Sequence, residues 1–149
     1  MLRHMKLILI TVALTACCPA LSYHVSAQNK QISEPYVVTG VDCNDEEHVK
    51  SLLDHAAITA GGDKTIIIIA RLGSGEGSRH LIRRRLYAPV NYLVGIRGVS
   101  ESRIVTAEGE RVRGLGHVEI YVGGNLLITF KMKRGRDFGQ GPRCKIVYD

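Results

Sequence analysis

Four consecutive isoleucines, residues 66–69, limit the folds open to this chain. They stand in an unbroken apolar run, Thr-Ile-Ile-Ile-Ile-Ala, over residues 65–70. β-Branched side chains suit a pleated sheet and lose rotamer freedom in a helix. A run without alternating polar residues is typical of a strand covered on both faces. The sequence therefore predicts a strand in the middle of a sheet, buried on both faces.

Four more segments have the β-branched composition or the alternation of strands, and glycines separate the last two as in a β-hairpin. The predicted strands are residues 36–41, 65–70, 103–107, 117–122 and 126–132.

Two segments between the strands repeat apolar residues at helical spacing. The first begins at a cap, Asn44 or Asp45, and ends at Gly61. The second runs from the cap residue Ser78 to about residue 95. It contains Pro89, which predicts a kink or an early end because proline lacks the N–H and crowds the preceding turn.

The element order β-α-β-α-β-β-β predicts an α+β or split βαβ sandwich with both helices on one face of a mixed sheet. A chain of 149 residues that is 45% hydrophobic fits one domain with its own core, which excludes a disordered chain and a large multidomain enzyme. A polytopic membrane protein is excluded as well, because the one long uncharged apolar stretch falls short of the ~20 residues of a membrane span.

Residues 1–27 have the layout of a secretory signal, with a basic start, an apolar stretch over residues 7–16 and small residues before a cleavage point after Ala27. The sequence Leu-Thr-Ala-Cys at residues 14–17 resembles a lipobox instead, which would make Cys17 a lipidated N-terminus. An uncleaved anchor is a third option. In each case we expect the rest of the chain to leave the cytoplasm for the periplasm or the outer membrane.

The chain divides into a signal (1–27), a polar linker (28–35), an α+β domain (36–134) and a glycine-containing C-terminal tail (135–149). Loss of the signal leaves 18 basic and 14 acidic residues, a net charge of +4.

Cys43 and Cys144 are then the remaining cysteine pair. An oxidising compartment favours a disulfide between them. The bond would close a loop of about 100 residues, for which the chain-entropy model gives roughly 4 to 5 kcal/mol. The alternative is two unrelated free thiols.

No motif in the sequence points to catalysis, a nucleotide or a metal. Residues 73–78 form a glycine-rich loop before a helix, but they lack phosphate-loop spacing, and Glu76 puts a negative charge where a phosphate would sit. The histidines have no metal-ligand spacing, and no nucleophile motif is present. We therefore expect a non-catalytic protein without cofactor or metal.

Arginines are concentrated on the second predicted helix, at positions 79, 83, 84 and 85, with Arg71 just before it. A guanidinium grips carboxylates and phosphates through two hydrogen bonds, so an exported basic helix suits peptidoglycan peptides or another anionic envelope component. An ordinary solvated helix face is the alternative. The expected location and the lack of interleaved aromatic residues argue against nucleic acid.

A series of short motifs recurs in order across residues 65–122. They are the apolar strand 66–70, the glycine loop 73–77, Leu81 with Arg85, Tyr92-Leu93, Gly98-Val99, Arg103-Ile104, Gly109-Glu110 and Val118-Glu119-Ile120. In this order they resemble the C-terminal OmpA-like domain of periplasmic and outer-membrane proteins. The resemblance implies the same α+β layout and a peptidoglycan-binding role.

In the OmpA-like family an Asp holds the ammonium group of diaminopimelate and an Arg grips its carboxylate. Arg85 aligns with that arginine, whereas Leu72-Gly73 stand where the family has Thr-Asp. Glu76 is the nearby carboxylate that would replace the missing acid. Gly116-His117 stand where the family has two adjacent arginines, and the segment from Glu110 to His117 is shorter than in the family. The resemblance therefore supports the fold better than it supports binding of the family's ligand. The predicted ligand-binding residues are Arg85, Glu76, Ser78 and Arg71.

Two functions follow. As an envelope-binding module, the protein would lose binding to peptidoglycan sacculi far more through Arg85→Ala than through Arg79→Ala. As a structural or assembly protein, it would use the strand ending at Met132 and the following tail as a protein–protein surface, and its contacts would be indifferent to Arg85. In both, contact with a membrane would require the lipid anchor.

Overall fold

A computed structural model describes residues 34–39, 46–134 and 137–138. The expected signal peptide, the lipid site at Cys17 and the disulfide between Cys43 and Cys144 lie outside these residues. In chain order the elements are β1 (Tyr36–Thr39), α1 (Glu46–Ala60), β2 (Ile66–Arg71), α2 (Arg79–Gly95), a 3₁₀ turn (Glu101–Arg103), β3 (Ile104–Glu108), β4 (His117–Val122) and β5 (Asn125–Lys131).

The α+β fold class and the predicted order of elements are confirmed. The strands form one mixed sheet in the order β1-β5-β4-β2-β3. β1 pairs parallel with β5 and β2 with β3, whereas β4 runs antiparallel to both β2 and β5. Consequently β1, β2, β3 and β5 all end at the same edge of the sheet.

The core lies between one face of the sheet and the two helices. Buried side chains alternate with half-buried ones along β2 and β4, which leaves the second face of the sheet less covered. The core cluster combines residues from the helices and the strands, among them Leu53, Ala56, Ile82, Leu93, Ile66, Ile68, Ile120, Ile128 and Phe130.

The isoleucine run forms an interior strand, because β2 lies between β4 and β3. Its burial on both faces was a wrong prediction. Ile66 and Ile68 are fully buried against the helices, while Ile67 and Ile69 on the opposite face are only half-buried. A run of one residue type hides the alternation that distinguishes the two faces.

The second helix does not end early at Pro89. α2 continues to Gly95 with Pro89 inside it, and the proline ring is fully buried. Burial of the ring in the core offsets part of the cost of the lost backbone hydrogen bond.

The hairpin between β4 and β5 is confirmed, since Gly123 and Gly124 turn with positive φ angles of 56° and 82°. Two glycines in left-handed conformation match the type I′ turn that suits twisted strands.

The core extends beyond residue 134, the predicted end of the domain. Asp137 and Phe138 are 4% and 6% exposed, and the Phe138 ring meets Phe130 edge-on at 5.4 Å between centroids. The strand suggested as a protein–protein surface is also internal, because β5 lies between β1 and β4. Phe130 in this strand and Met132 just after it are both buried. No helix in the described ranges is long and apolar enough to cross a membrane.

Candidate functional site

Three segments meet at the edge where the parallel strands end. They are residues 72–78 after β2, residues 109–116 after β3, and residues 132–134 with Asp137 and Phe138 after β5. Backbone hydrogen bonds join them: Val112 N–H donates to the carbonyl oxygen of Leu72 (2.9 Å), and Met132 N–H to that of Gly116 (3.1 Å). We call this region the loop junction. The first two turns of α2 place Arg85 inside it.

Arg85 is the centre of the loop junction, and its side chain is only 1% exposed. Its Nη1 and Nη2 donate to the two carboxylate oxygens of Glu76 at 2.8 and 2.7 Å. Its Nε and Nη2 donate to Oδ2 of Asp137 at 2.9 and 2.7 Å. Nη1 also donates to the carbonyl oxygen of Arg71 at 3.1 Å. A guanidinium has five N–H donors, and all of them are used within the chain.

Glu76 is held by more than the arginine. Its Oε2 also accepts hydrogen bonds from the N–H groups of Gly73 (2.7 Å) and Gly116 (3.1 Å). The hydrogen bonds from Arg85, with support from these backbone N–H groups, lower the pKa of Glu76 to about 2 despite its partial burial. Burial alone would lower the pKa of Arg85, but its hydrogen bonds to the two carboxylates outweigh that effect and raise it. Both side chains are therefore charged at neutral pH.

Two glycines let the backbone approach the ion cluster. A Cβ atom at Gly116 would overlap the Arg71 carbonyl oxygen and the Arg85 guanidinium, and one at Gly73 would overlap the Gly114 carbonyl. Glycine is therefore required at both positions for the loops to close around the buried charges.

The Arg71 side chain lies on the less covered face of the sheet, where it packs against the backbone of Gly109. Its Nε donates to Glu119 Oε2 at 3.3 Å, and His117 Nε2 lies 2.9 Å from Glu119 Oε1. Burial would raise the pKa of Glu119, but the hydrogen bonds from His117 and Arg71 outweigh it and lower the pKa. Arg71 is therefore engaged by a carboxylate of its own chain.

The structure brings three of the four predicted ligand residues together, though not as an open site. Arg85 and Glu76 bind each other, and Arg71 contributes only its backbone carbonyl. Ser78 precedes α2, is exposed, and makes no side-chain capping hydrogen bond. A ligand carboxylate could reach Arg85 only if Glu76 or Asp137 left it.

Sequence reasoning missed Asp137 because its partner lies 52 residues away and it stands in a segment rich in glycine and arginine. A signal for Arg85 was present. It shares one stripe of α2 with Ile82, Pro89 and Leu93, all buried, and an arginine at such a position needs internal carboxylates.

The outside of the loop junction is strongly basic. Among the described residues, its exposed cations are Arg79, Arg83, Arg111, Arg113, Lys131, Lys133 and Arg134. We call this set the basic rim. Nη1 of Arg111 donates to the carbonyl oxygens of Gly73 and Glu76, which ties the rim to the loop beneath it.

Few carboxylates oppose the basic rim. Among the described residues of these segments and the adjoining strand ends, the exposed acids are Glu108 and Glu110. Glu76 and Asp137 are bound by Arg85. Glu46 and Glu47 in the first turn of α1 also follow a strand that ends at this edge, and they pair with Lys50.

No group of three or more histidine, cysteine or acidic residues in the described ranges is placed to hold a metal ion. No protein-family model, no curated protein and no solved structure matches this chain. The resemblance to the OmpA-like domain thus rests on the sequence motifs alone.

Proposed function

We propose that this chain is a non-catalytic binding module that attaches to an anionic polymer of the cell envelope through the basic rim. The observation that carries the proposal is the separation of charge at the loop junction, where the acids are buried on Arg85 and the cations are exposed. The envelope location comes from the expected signal sequence, and peptidoglycan is the first polymer to test.

The basic rim is a better binding surface than Arg85. Freeing Arg85 for a ligand would leave a buried carboxylate unpaired, which costs on the order of 1–3 kcal/mol or more. The exposed side chains of Arg79 and Arg83, in contrast, can reach an anion with little loss of hydration.

The rim favours a polymer over a small ligand. Each exposed ion pair contributes only about 0.2–1 kcal/mol, so useful affinity requires several contacts at once. A chain of repeated anionic groups supplies them, because once one group is bound the next is at high effective concentration. Such binding is weakened by salt, which screens exposed charges.

The proposal contains no catalytic step. A general base needs a pKa near the working pH, whereas Arg85 holds the pKa of Glu76 at about 2.

The test is a co-sedimentation assay of the processed protein with purified diaminopimelate-type sacculi, with vesicles of phosphatidylglycerol as a second anionic surface. Arg79→Glu and Arg83→Glu each reverse one rim charge. Lys64→Glu changes the net charge equally at an exposed position between α1 and β2, and serves as the matched control. Each rim reversal removes one attraction and adds one repulsion, about 0.4–2 kcal/mol or roughly two- to thirtyfold in affinity.

The expected result is salt-sensitive binding that falls in both rim variants and changes little in Lys64→Glu. Equal loss in all three variants would mean that net charge alone matters. Binding that resists high salt and persists in both rim variants would contradict the proposal and return attention to Arg85.

A further inference from the structure

β3 is an edge of the sheet in the part of the chain that the structure describes. It pairs with β2 on one side, and four of its five residues, from Val105 to Glu108, are exposed. Proteins usually protect such an edge with proline, lysine or a bulge. The sequence of β3, Ile-Val-Thr-Ala-Glu, has neither proline nor lysine.

The register with β2 shows which backbone groups of β3 face outward. Gly109 N–H donates to the carbonyl oxygen of Ala70 at 2.9 Å, and Ala70 is aligned with Glu108. In a strand, successive peptide groups alternate between the two sides. Val105 and Ala107 therefore direct their N–H and C=O groups to β2, while Thr106 and Glu108 direct theirs away from the sheet.

This pattern is complementary to itself. When two β3 strands pair antiparallel about a two-fold axis at Thr106, the two Thr106 residues face each other and exchange both backbone hydrogen bonds. Glu108 N–H of each copy then meets the free carbonyl of Ile104 in the other. The Ile104 N–H already donates to the carbonyl oxygen of Glu101 in its own chain, so no N–H group is left unpaired at that end of the contact.

The side chains also match across the axis. On the less covered face of the sheet, Val105 of each copy lies opposite Ala107 of the other, an apolar pair. In this register Glu108 lies opposite Ile104 of the other copy, so no like charges lie directly opposite one another.

We infer that the β3 edge joins two copies of this chain into a two-fold dimer with one continuous ten-stranded sheet. The inference stands apart from the proposed function, because it involves none of the basic rim.

The first test is sedimentation equilibrium of the processed protein under reducing conditions, which exclude a dimer linked by cysteines. Val105→Lys places a charge in the β3 contact, and Val37→Lys places one at the matching outer position of β1, on the other edge. These valines are 49% and 55% exposed, so the substitutions are comparable. Two-fold symmetry puts each β3 substitution into the interface twice, and we expect Val105→Lys to raise the dimer dissociation constant roughly tenfold. Val37→Lys should leave it unchanged.

The second test is amide hydrogen exchange at low and high protein concentration. The N–H groups of Thr106 and Glu108 should become protected as the concentration rises, whereas those of Val105 and Ala107, which face β2, should be protected at both. This internal comparison distinguishes the β3 contact from a general change in stability.

A protein that stays monomeric at roughly 0.3 mM would overturn the inference, which requires a dimer dissociation constant of about 0.1 mM or tighter. A dimer weakened equally by Val37→Lys, or one without concentration-dependent protection at Thr106, would overturn it too. Protection that appears only with an added extended peptide would assign the edge to another partner.

Discussion

Removing Asp137 tests whether Arg85 is a structural centre or a ligand site. Asp137→Ala takes away the acceptor of two guanidinium hydrogen bonds, from Nε and Nη2. Buried donors left without a partner cost about 1–3 kcal/mol, and charged groups more. Because Glu76 still neutralises the arginine, we expect a loss of about 2–3 kcal/mol in the free energy of unfolding.

Arg85→Ala should be more damaging. It leaves Glu76 and Asp137 buried without a counter-charge and opens a cavity where the guanidinium was. Removal of one partner of a buried ion pair costs about 3–5 kcal/mol, so we expect at least that loss here. Arg85→Lys keeps the charge but offers three donors where five are used. Its loss in the free energy of unfolding should lie between the losses in Asp137→Ala and Arg85→Ala.

Urea and thermal unfolding measure these differences. For a domain of this size a loss of 2–3 kcal/mol lowers Tm by roughly 8–15 °C. Arg79→Ala is the matched control on the same helix; its side chain is exposed, and its effect should stay within about 0.5 kcal/mol. The reasoning fails if Arg85→Ala unfolds like the wild type yet loses all binding to sacculi, because Arg85 would then be a ligand site.

Two further predictions concern the loop junction. The pKa of Glu76 is lowered to about 2 from an ordinary 4.5, so the Glu76 carboxylate stabilises the fold fully above pH 4.5 and this stabilisation is lost as the pH falls towards 2. Unfolding measured across this range should show that the stability advantage of the wild type over Glu76→Gln shrinks steadily. A constant difference between the two would contradict the ion-pair role. Gly116→Ala should destabilise the fold by about 1–3 kcal/mol or more through overlap with Arg71 and Arg85, whereas Gly75→Ala, with open space around it, should unfold like the wild type.

Much of the fold was predictable because its signals are local. Three features each determine the structure of only a few neighbouring residues: the isoleucine run, the glycines at 123 and 124, and the acidic first turn at Glu46. The strands therefore fell within two residues of their predicted bounds at each end. What a local pattern cannot show is which face of β2 receives the helices, since all four isoleucines are alike.

The candidate site was less predictable, because the four arginines of α2 look equivalent in sequence and differ entirely in burial. Arg79 and Arg83 are exposed, while Arg85 is fully buried. The helical spacing of the apolar residues could have distinguished Arg85 from the exposed arginines, but no sequence pattern identifies Asp137 as its second carboxylate partner. Asp137 reaches Arg85 only after β5 has paired beside β4 and carried the chain back to the loop junction.

The two proposals combine into one geometric consequence. The basic rim lies where β2, β3 and β5 end, and antiparallel pairing of two β3 strands makes these ends point in opposite directions. A dimer would therefore present its two rims at opposite ends of the ten-stranded sheet and could not lay both on one flat surface. Such a molecule is suited to link two anionic polymer strands rather than to double its grip on one. The affinity of a rim for one polymer chain should accordingly be the same in monomer and dimer, which keeps binding and assembly separable by Val105→Lys.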